Sequence, residues 1–340
     1  MVTCIEGRSA DEVWTKAARL LRDGGVALAS DSRLGVTREI RQCILSIEQP
    51  RLRWAVSRAP AVNPAFAIAE AVWILAGSRD AKSINYWNAQ LPKFAGAGNV
   101  YHGAYGFRLR SHFGRDQLEA AYSTLKSNPT SRQVVLQIWD PAVDLPNPDG
   151  SPASPDIPCN IGALLKVRDG KLDWTQIVRS NDIFRGLPYN LVQFSVLQEV
   201  LAGWLGLNVG TYTQLSDSLH WYETDFSTMT IRSDSGATGE PDATLALDKE
   251  HFDEVLELLI HTFERFSASD LSRREFEQLH EVPAMPQGYR DHLLIAAAEA
   301  ARKRGWNDQI GKVICRCSST QLLVAWERWL QRSVERAQRG

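Results

Sequence analysis

Residues 179–190 read RSNDIFRGLPYN and stand between a predicted strand and a predicted helix. Arg179 and Ser180 offer a guanidinium fork and a hydroxyl, a combination that suits a phosphate monoester. Asp182 shares the face of an extended strand with Ser180, opposite Arg179. The Asn190 amide presents a donor beside an acceptor and can bind the edge of a pyrimidine, although taken alone it is better explained as a helix N-cap.

Cys159 precedes this segment, between Pro158 and another predicted strand. The thiolate is the reactive form of cysteine and the ordinary thiol pKa is about 8.5, so a nucleophilic cysteine needs a cationic neighbour or a helix N-terminus. Arg179, which ends a neighbouring predicted strand, is the candidate cation. The alternative is a buried, unreactive cysteine. The other cysteines are scattered and predict reduced thiols, with no disulfide and no metal site: Cys4, Cys43, Cys315 and Cys317.

Glu70 interrupts the apolar segment AFAIAEAVWILA, residues 65–76, which predicts a buried helix that ends at Gly77. An ionised carboxylate in such a helix costs several kcal/mol unless it is paired or faces a cavity. Glu70 is therefore either a paired core residue or part of a functional site.

The remaining patterns predict an α+β protein. The turn at residues 168–171 (RDGK) predicts a tight hairpin between two strands, and RQVVLQIWD, residues 132–140, predicts a further strand. From about residue 245 the spacing is helical, which divides the chain into a mixed domain, residues 1–245, and a helical C-terminal extension, residues 246–340. Predicted helices cover residues 10–23, 65–76, 189–205, 250–266, 270–280, 289–304 and 318–338. The arginine row of the last helix, Arg328, Arg332 and Arg336, predicts a solvated face.

Composition excludes several classes of protein. The chain of 340 residues has 38 Lys plus Arg against 40 Asp plus Glu, a net charge of −2, which does not indicate a nucleic-acid binder. No apolar stretch approaches the roughly 18 residues that span a bilayer, and the N-terminus does not resemble a signal peptide. We expect a soluble, cytoplasmic protein.

Several ordered blocks across most of residues 30–225 resemble the thymidylate synthase family, including its pyrimidine nucleotide hydroxymethylases. The blocks are DSRLGVTRE (31–39), AIAEAVWILAG (67–77), GAYGFR (103–108), PTSRQVVLQIWDP (129–141), IPCN (157–160), RSNDIFRGLPYN (179–190) and DSLHWY (217–222). The resemblance implies a large twisted mixed sheet with flanking helices, which dimerises through one sheet face. It also implies two ligands, a pyrimidine nucleoside monophosphate and the co-substrate 5,10-methylenetetrahydrofolate.

The resemblance implies catalytic roles as well. Cys159 is expected to add to C6 of the pyrimidine, so that C5 captures the methylene group of the folate. Glu70 is expected to organise water and relay protons at the base, and Tyr105 to belong to the polar network around the nucleophile. Asn190 would face the base, and Asp182 the pterin.

Binding roles follow in the same way. The residues implied for the phosphate are Arg33, for which Arg38 is a rival, Arg179, Ser180, and Arg132 supplied by the partner subunit. Those implied for the sugar hydroxyl are His220 and Tyr222. Asn160 follows the nucleophile near the base, and Trp87 and Tyr189 are implied for the folate.

Departures from the family bear on the product. Asn160 replaces the usual histidine, Arg132 precedes Gln133 instead of a second arginine, and ERAQRG (335–340) does not resemble the apolar tail that closes the site. A site that admits water favours addition of water over hydride transfer to the C5 methylene. We therefore expect a hydroxymethylase of dCMP or CMP, although deoxycytidylate hydroxymethylases often carry Asp in place of Asn190. The alternatives are a thymidylate synthase that methylates dUMP to dTMP and a nucleotide-binding pseudoenzyme.

Overall fold

The computed structural model describes residues 2–24, 28–32, 35–234, 239–282 and 284–339. The strands are β1 (Thr3–Gly7), β2 (Leu28–Ser32), β3 (Gly35–Ile47), β4 (Arg58–Ala59), β5 (Val135–Gln137), β6 (Asn160–Arg168), β7 (Lys171–Val178), β8 (Asn181–Asp182), β9 (Asn208–Tyr222) and β10 (Thr230–Ile231). The α-helices are α1 (Ala10–Asp23), α2 (Pro64–Leu75), α3 (Ala81–Trp87), α4 (Pro92–Ala95), α5 (Tyr105–Phe107), α6 (Gln117–Ser127), α7 (Pro141–Asp144), α8 (Leu187–Trp204), α9 (Lys249–Ser267), α10 (Arg273–Leu279), α11 (Gln287–Lys303), α12 (Asn307–Ile314) and α13 (Thr320–Arg339).

Eight of these strands form one mixed sheet with the main order β1-β3-β9-β7-β6-β5. The long strand β9 is antiparallel to β3 and parallel to β7, whereas β6 is antiparallel to β7 and β5. The short strand β8 pairs with the end of β9 and sets Asp182 opposite His220. The predicted α+β class is therefore confirmed, and the blocks RSNDIFRGLPYN and DSLHWY are neighbours in the sheet.

The hairpin between β6 and β7 has the predicted tight turn. Asp169 has a φ of 50° and Gly170 a φ of 71°. Positive φ at both central residues defines the mirror-image turn whose twist matches that of paired strands. An Asp-Gly pair tolerates this conformation because aspartate is among the residues enriched at positive φ and glycine has no Cβ.

One face of the sheet packs against α1 and α8, which bury large side chains such as Trp14 and Phe194. The opposite face carries apolar residues that remain half-buried. Ile44, Leu215 and Ile177 lie side by side across β3, β9 and β7 on this face, because side chains alternate along each strand. Such a half-buried apolar row at the centre of a sheet is a surface that a further layer of protein can cover.

Helices after residue 245 pack directly on the mixed domain. α9 and α11 contact α2, and α13 contacts α2 as well. None of the helices in the described ranges is both long and apolar enough to cross a bilayer.

Some boundaries differ from the sequence-based expectations. The strand predicted over residues 132–140 is limited to β5, because the amides of Ile138 and Trp139 both donate to the carbonyl of Ile161 and end the regular ladder.

Asn190 is not a helix N-cap. α8 begins at Leu187, with Gly186 at the cap position, because proline is favoured in the first turn of a helix and Pro188 occupies it. The short helix α12 was not predicted.

The predicted solvated arginine face on α13 is wrong for two of its residues. The Arg328 side chain is only 10% exposed and donates to the carbonyl of Val56. Arg332 donates to the carbonyl of Ala61 over 2.6 Å. Both arginines therefore bind backbone of the segment that leads into α2, a contact between distant parts of the chain that no local pattern reveals. The side chain of Arg336 lies outside the described residues.

Candidate active site

A cavity of about 580 Å³ opens between α2, α3, α8, the loop before β6, and helices α11 and α13. Six of the predicted site residues line it: Glu70, Trp87, Tyr105, Cys159, Tyr189 and Asn190. Several others do not line it: Arg38, Arg132, Asn160, Arg179, Ser180, Asp182, His220 and Tyr222. Arg33 lies outside the described residues. The structure thus brings together Cys159, Glu70, Tyr105 and Asn190 with the two aromatic residues predicted for the co-substrate, but not Asn160 or Asp182.

Arg179 holds the loop that carries Cys159. Its Nε donates to the carbonyl of Pro158 over 3.0 Å, and its Nη2 donates to the carbonyl of Ile157 over 3.1 Å. The backbone amide of Arg179 also donates to the carbonyl of Cys159 over 2.9 Å. The guanidinium predicted from the sequence to stand near the thiol therefore fixes the two residues before it, and the Arg179 backbone amide fixes Cys159 itself.

Glu70 lies in the middle of α2 and lines the cavity. Burial raises the pKa of its carboxyl to about 8, and a hydrogen bond with the Gln193 side chain offsets only part of this effect. At neutral pH the carboxyl therefore holds its proton in most molecules. A protonated carboxyl in an apolar pocket can donate to an oxygen on which negative charge develops. Glu70 thus lines the cavity and has a hydrogen bond with Gln193.

Tyr105 and Asn160 are polar neighbours on the Cys159 side of the cavity. Burial, and next the neighbouring Cys159, raise the pKa of the Tyr105 hydroxyl, which keeps it neutral and able to donate. Asn160 is fully buried, and its Oδ1 accepts from Nε2 of Gln176 over 3.0 Å. It therefore supports the wall behind Tyr105 without lining the cavity.

Asn190 faces the cavity from the first turns of α8. Its Nδ2 makes a long contact of 3.5 Å to Oδ1 of Asn181, whose own Nδ2 donates to the Ser216 hydroxyl over 3.0 Å. α8 fixes the Asn190 backbone and Asn181 contacts its side chain. The Asn190 side chain is therefore held in place where it lines the cavity.

A charged cluster connects Asp182 to the cavity through Arg185. Oδ1 of Asp182 accepts the backbone amides of Phe184 and Arg185, and its Oδ2 lies 2.8 Å from Nη1 of Arg185. The same nitrogen lies 2.5 Å from Asp225. Arg185 itself lines the cavity. Sequence reasoning missed this arginine, although it lies within the quoted segment RSNDIFRGLPYN.

His220 and Tyr222 lie beside this cluster at the end of β9. Their rings are 5.3 Å apart and nearly perpendicular, and the Arg185 guanidinium lies 5.2 Å from the Tyr222 centroid. Burial lowers the pKa of His220, which is therefore neutral at neutral pH. A neutral imidazole can both donate to and accept from a hydroxyl.

The two aromatic residues predicted for the co-substrate are held by neighbouring rings. Trp87 lies edge-on to Tyr86 and 5.2 Å from the Phe263 ring of α9. Tyr189 packs edge-on against Phe66, and its hydroxyl accepts the backbone amide of Asn63. The Trp87 and Tyr189 rings therefore form an aromatic wall of the cavity.

The last wall comes from α11 and α13 and was not predicted. Glu299 on α11 is fully buried and accepts two hydrogen bonds from Arg302, of 2.7 and 2.8 Å. Nε1 of Trp329 on α13 donates to the same carboxylate over 3.1 Å, and Nζ of Lys303 lies 4.0 Å away. Arg332 stacks over Trp329 at 5.1 Å. The wall carries three cations and one carboxylate, which leaves it with positive charge.

Of the predicted phosphate ligands that do not line the cavity, Arg38 and Arg132 have their contacts elsewhere. Nη1 of Arg38 donates to the carbonyl of Arg22, and its guanidinium stacks on Phe226 at 4.5 Å. Arg132 is exposed just before β5, where its carbonyl accepts from Lys166. Within the described ranges, no group of three acidic, histidine or cysteine side chains could hold a metal ion.

Comparison with known proteins identifies the family. The family model described as thymidylate synthase matches residues 44–288. A deoxyuridylate hydroxymethyltransferase of Bacillus phage SP01 is 30% identical over 351 aligned residues, which cover 92% of this chain and 89% of that protein. One from Pseudomonas phage M6 is 38% identical over 163 residues, 47% of this chain and 45% of that protein. A putative thymidylate synthase of Methanothermobacter thermautotrophicus is 31% identical over 230 residues, 66% of this chain and 96% of that protein. With a match over most of its length and Cys159 and Glu70 in one cavity, this chain belongs to the thymidylate synthase family.

Proposed function

We propose that this protein is a pyrimidine nucleotide hydroxymethylase, which transfers a one-carbon unit to C5 of dUMP. The observation that carries the proposal is that Cys159, Glu70, Tyr105 and Asn190 line a single cavity. A nucleophile, a protonated carboxyl and an amide are the groups that addition to a pyrimidine ring requires. Two relatives named deoxyuridylate hydroxymethyltransferase support water, and not hydride, as the final nucleophile.

The Cys159 thiolate adds to C6, and the electrons of the C5=C6 bond move toward O4. Glu70 is the donor that meets this charge, because its pKa of about 8 keeps the carboxyl protonated at neutral pH. Tyr105 stays neutral and donates within the same network. C5 would bond to the one-carbon unit that the co-substrate methylenetetrahydrofolate supplies. Loss of the C5 proton and departure of tetrahydrofolate would leave an exocyclic methylene. Addition of water to this methylene and expulsion of the thiolate then give the 5-hydroxymethyl nucleotide.

The base is proposed to be uracil. The Asn190 amide can pair with an N3 donor and an O4 acceptor in one orientation, and an amide can also turn to serve cytosine. The names of the two phage relatives favour uracil. Cytosine remains an outcome of the experiments below.

The co-substrate is proposed to be 5,10-methylenetetrahydrofolate, which supplies the one-carbon unit when bound. The cavity fits a ligand that carries both aromatic rings and carboxylates, because Trp87 and Tyr189 line one part and the wall of Arg302, Lys303 and Arg332 lines another. Asp182 is proposed to act on the pterin side, together with its partner Arg185. In this proposal residues 1–245 form the catalytic domain and residues 246–340 an extension that closes its cavity.

A homodimer is proposed to complete the phosphate site. The half-exposed apolar row of Ile44, Leu215 and Ile177 is the surface that a second copy would cover. Arg132, exposed at one edge of the same sheet, would reach the partner's nucleotide. Arg179, Ser180, and Arg33 or Arg38 are proposed for the same phosphate, with His220 and Tyr222 for the sugar hydroxyl.

Product analysis tests the proposal. The protein is incubated with methylenetetrahydrofolate and, separately, dUMP, dCMP, UMP or CMP, and the nucleotide and folate products are identified by mass. We expect 5-hydroxymethyl-dUMP together with tetrahydrofolate. A methyl product with dihydrofolate would identify a thymidylate synthase, and the absence of C5 hydrogen loss with every nucleotide would identify a pseudoenzyme.

The variant Lys303→Glu tests the role of the extension. We expect the KM for methylenetetrahydrofolate to rise by roughly tenfold or more and the KM for the nucleotide to stay within about twofold, because reversing a half-buried charge repels an anionic co-substrate. Lys312→Glu, on an exposed part of α12 away from the cavity, is the matched control. A rise confined to the nucleotide KM would contradict the assignment.

The variant Asn190→Asp tests the recognition of the base. An ionised aspartate only accepts hydrogen bonds, so it leaves uracil O4 without its donor and suits the amino group of cytosine. We expect the ratio of kcat/KM for dUMP to that for dCMP to fall by about 10- to 100-fold, the usual effect of leaving a buried polar group unpaired. Asn208→Asp, exposed at the start of β9, should leave this ratio unchanged.

A further inference from the structure

Two buried polar atoms that have no hydrogen-bond partner within the described ranges belong to side chains lining the cavity. They are Oε2 of Glu70 and Oε1 of Gln193. Gln193 lies on α8, three residues after Asn190, and is only 2% exposed. Its side chain hydrogen-bonds the Glu70 carboxyl. Sequence reasoning missed Gln193, although its spacing from Asn190 places both on one face of the helix.

The chemistry of these atoms indicates what is missing. An amide oxygen only accepts hydrogen bonds, so Oε1 of Gln193 needs a donor. A buried acceptor is normally satisfied by protein, water or ligand. Because both side chains line the cavity beside Cys159, Tyr105 and Asn190, a bound molecule that carries a hydroxyl can supply this donor.

Gln198 shows the contrasting arrangement on the same helix. Its Oε1 also has no hydrogen-bond partner within the described ranges, but its Nε2 donates to backbone carbonyls of Leu172 and Gly210, over 2.8 and 3.2 Å, and the residue does not line the cavity. Gln198 thus ties α8 to the sheet, whereas Gln193 directs its amide at a catalytic side chain. The two glutamines form a matched pair for experiment.

We propose that Gln193 is a positioning residue that, together with Glu70, holds the water that becomes the hydroxyl group of the product. The inference rests on the proposed hydroxymethylase function. The water oxygen bonds to the exocyclic methylene carbon at C5, and the electron pair of that double bond moves toward O4. The Glu70 carboxyl passes its proton to O4 and takes up one water proton in return, and the O4 proton leaves to solvent in the next step. The ring electrons then return, restore the C5=C6 bond and expel the Cys159 thiolate, so that no oxidant or reductant is consumed.

Nucleotide binding without any folate gives the first test. The Kd values of dUMP and 5-hydroxymethyl-dUMP are measured by calorimetry for the wild type, Gln193→Met and Gln198→Met. We expect Gln193→Met to weaken 5-hydroxymethyl-dUMP by about tenfold and dUMP by less than about twofold, since only the hydroxymethyl group contacts the lost amide. Gln198→Met should change both affinities by the same factor. Equal effects of Gln193→Met on the two nucleotides would overturn the inference.

Turnover gives the second test. Release of tritium from C5 of dUMP reports the early steps, and 5-hydroxymethyl-dUMP reports the addition of water. In Gln193→Met we expect the ratio of product to released tritium to fall by about tenfold or more, whereas Gln198→Met keeps the wild-type ratio. An unchanged ratio in Gln193→Met would also overturn the inference. If the wild type makes no hydroxymethyl nucleotide, the proposed function itself fails. The first test measures binding and not turnover, so it still shows whether Gln193 contacts the hydroxymethyl group.

Discussion

Replacing Cys159 with serine should reduce the one-carbon transfer by at least about 1,000-fold, because a serine hydroxyl without an adjacent base is a far weaker nucleophile than a thiolate. Binding of dUMP should change little, since the side chain keeps its size and polarity. Tritium release from C5-labelled dUMP measures the loss of turnover, and calorimetry measures the retained binding. Mass spectrometry of the wild type with 5-fluoro-dUMP and methylenetetrahydrofolate should locate a covalent adduct on the peptide that contains Cys159.

The control is Cys4→Ser, because Cys4 is an exposed thiol on β1, far along the chain from the loop of Cys159. This variant should keep wild-type turnover and still form the adduct. A Cys159→Ser protein that retains a tenth of the wild-type activity, or an adduct on any other cysteine, would contradict covalent addition by Cys159.

Replacing Glu70 with glutamine should separate activity from stability. We expect turnover to fall by roughly 100- to 10,000-fold, the usual contribution of a general acid or base. We also expect the variant to be more stable than the wild type at alkaline pH. The reason is that Glu70 has a pKa of about 8 in the folded protein, against 4.5 for an ordinary glutamate.

The sign of this effect follows from proton binding. As the pH rises from about 4.5 to about 8, the unfolded chain has released the Glu70 proton and the folded protein has kept it, so the free energy of unfolding falls. Above a pH of about 8 the loss is complete and is on the order of 3–5 kcal/mol, since one pKa unit corresponds to about 1.4 kcal/mol. The glutamine side chain does not titrate in this pH range, so the free energy of unfolding of Glu70→Gln does not fall in this way.

Thermal unfolding between about pH 5 and pH 9 measures the effect. The difference in Tm between Glu70→Gln and the wild type should grow with pH up to about 8 and then level off. Glu254→Gln, at an exposed position of α9, is the matched control and should show no such trend. A difference that does not depend on pH would mean that Glu70 is ionised in the folded protein throughout this range.

The sequence singled out Glu70 and Cys159 because both are exceptions to their local pattern, and the resemblance to the family then supplied their proposed roles. Glu70 is a single carboxylate in an apolar helix, and Cys159 is a thiol held between a proline and a strand. Such conflicts between a residue and its surroundings mark functional positions, and the structure places both side chains in one cavity. The Asp-Gly turn at Asp169 and Gly170 was predictable for the same reason, since few residues tolerate its backbone geometry.

Local patterns failed where a side chain finds its partner far along the chain. The arginine row of α13 has the spacing of a solvated face, yet Arg328 and Arg332 bind carbonyls of residues about 270 positions earlier. Gln193 is one polar residue on a mostly buried helix, and only the packing of α8 on α2 turns it toward Glu70.

The sequence by itself therefore determined the α+β class and the turn between β6 and β7, and it singled out Cys159 as the proposed nucleophile and Glu70 as the buried acid. These depend on backbone preferences and on the cost of burying charge, which act over a few residues. The tertiary structure alone decided that Glu299 and Arg302 of α11 and Trp329 of α13 complete the cavity, and that Gln193 reaches Glu70. Those contacts exist only because packing of the apolar helix faces brings distant segments together, and the position of a polar side chain at such a junction is set by its neighbours in space.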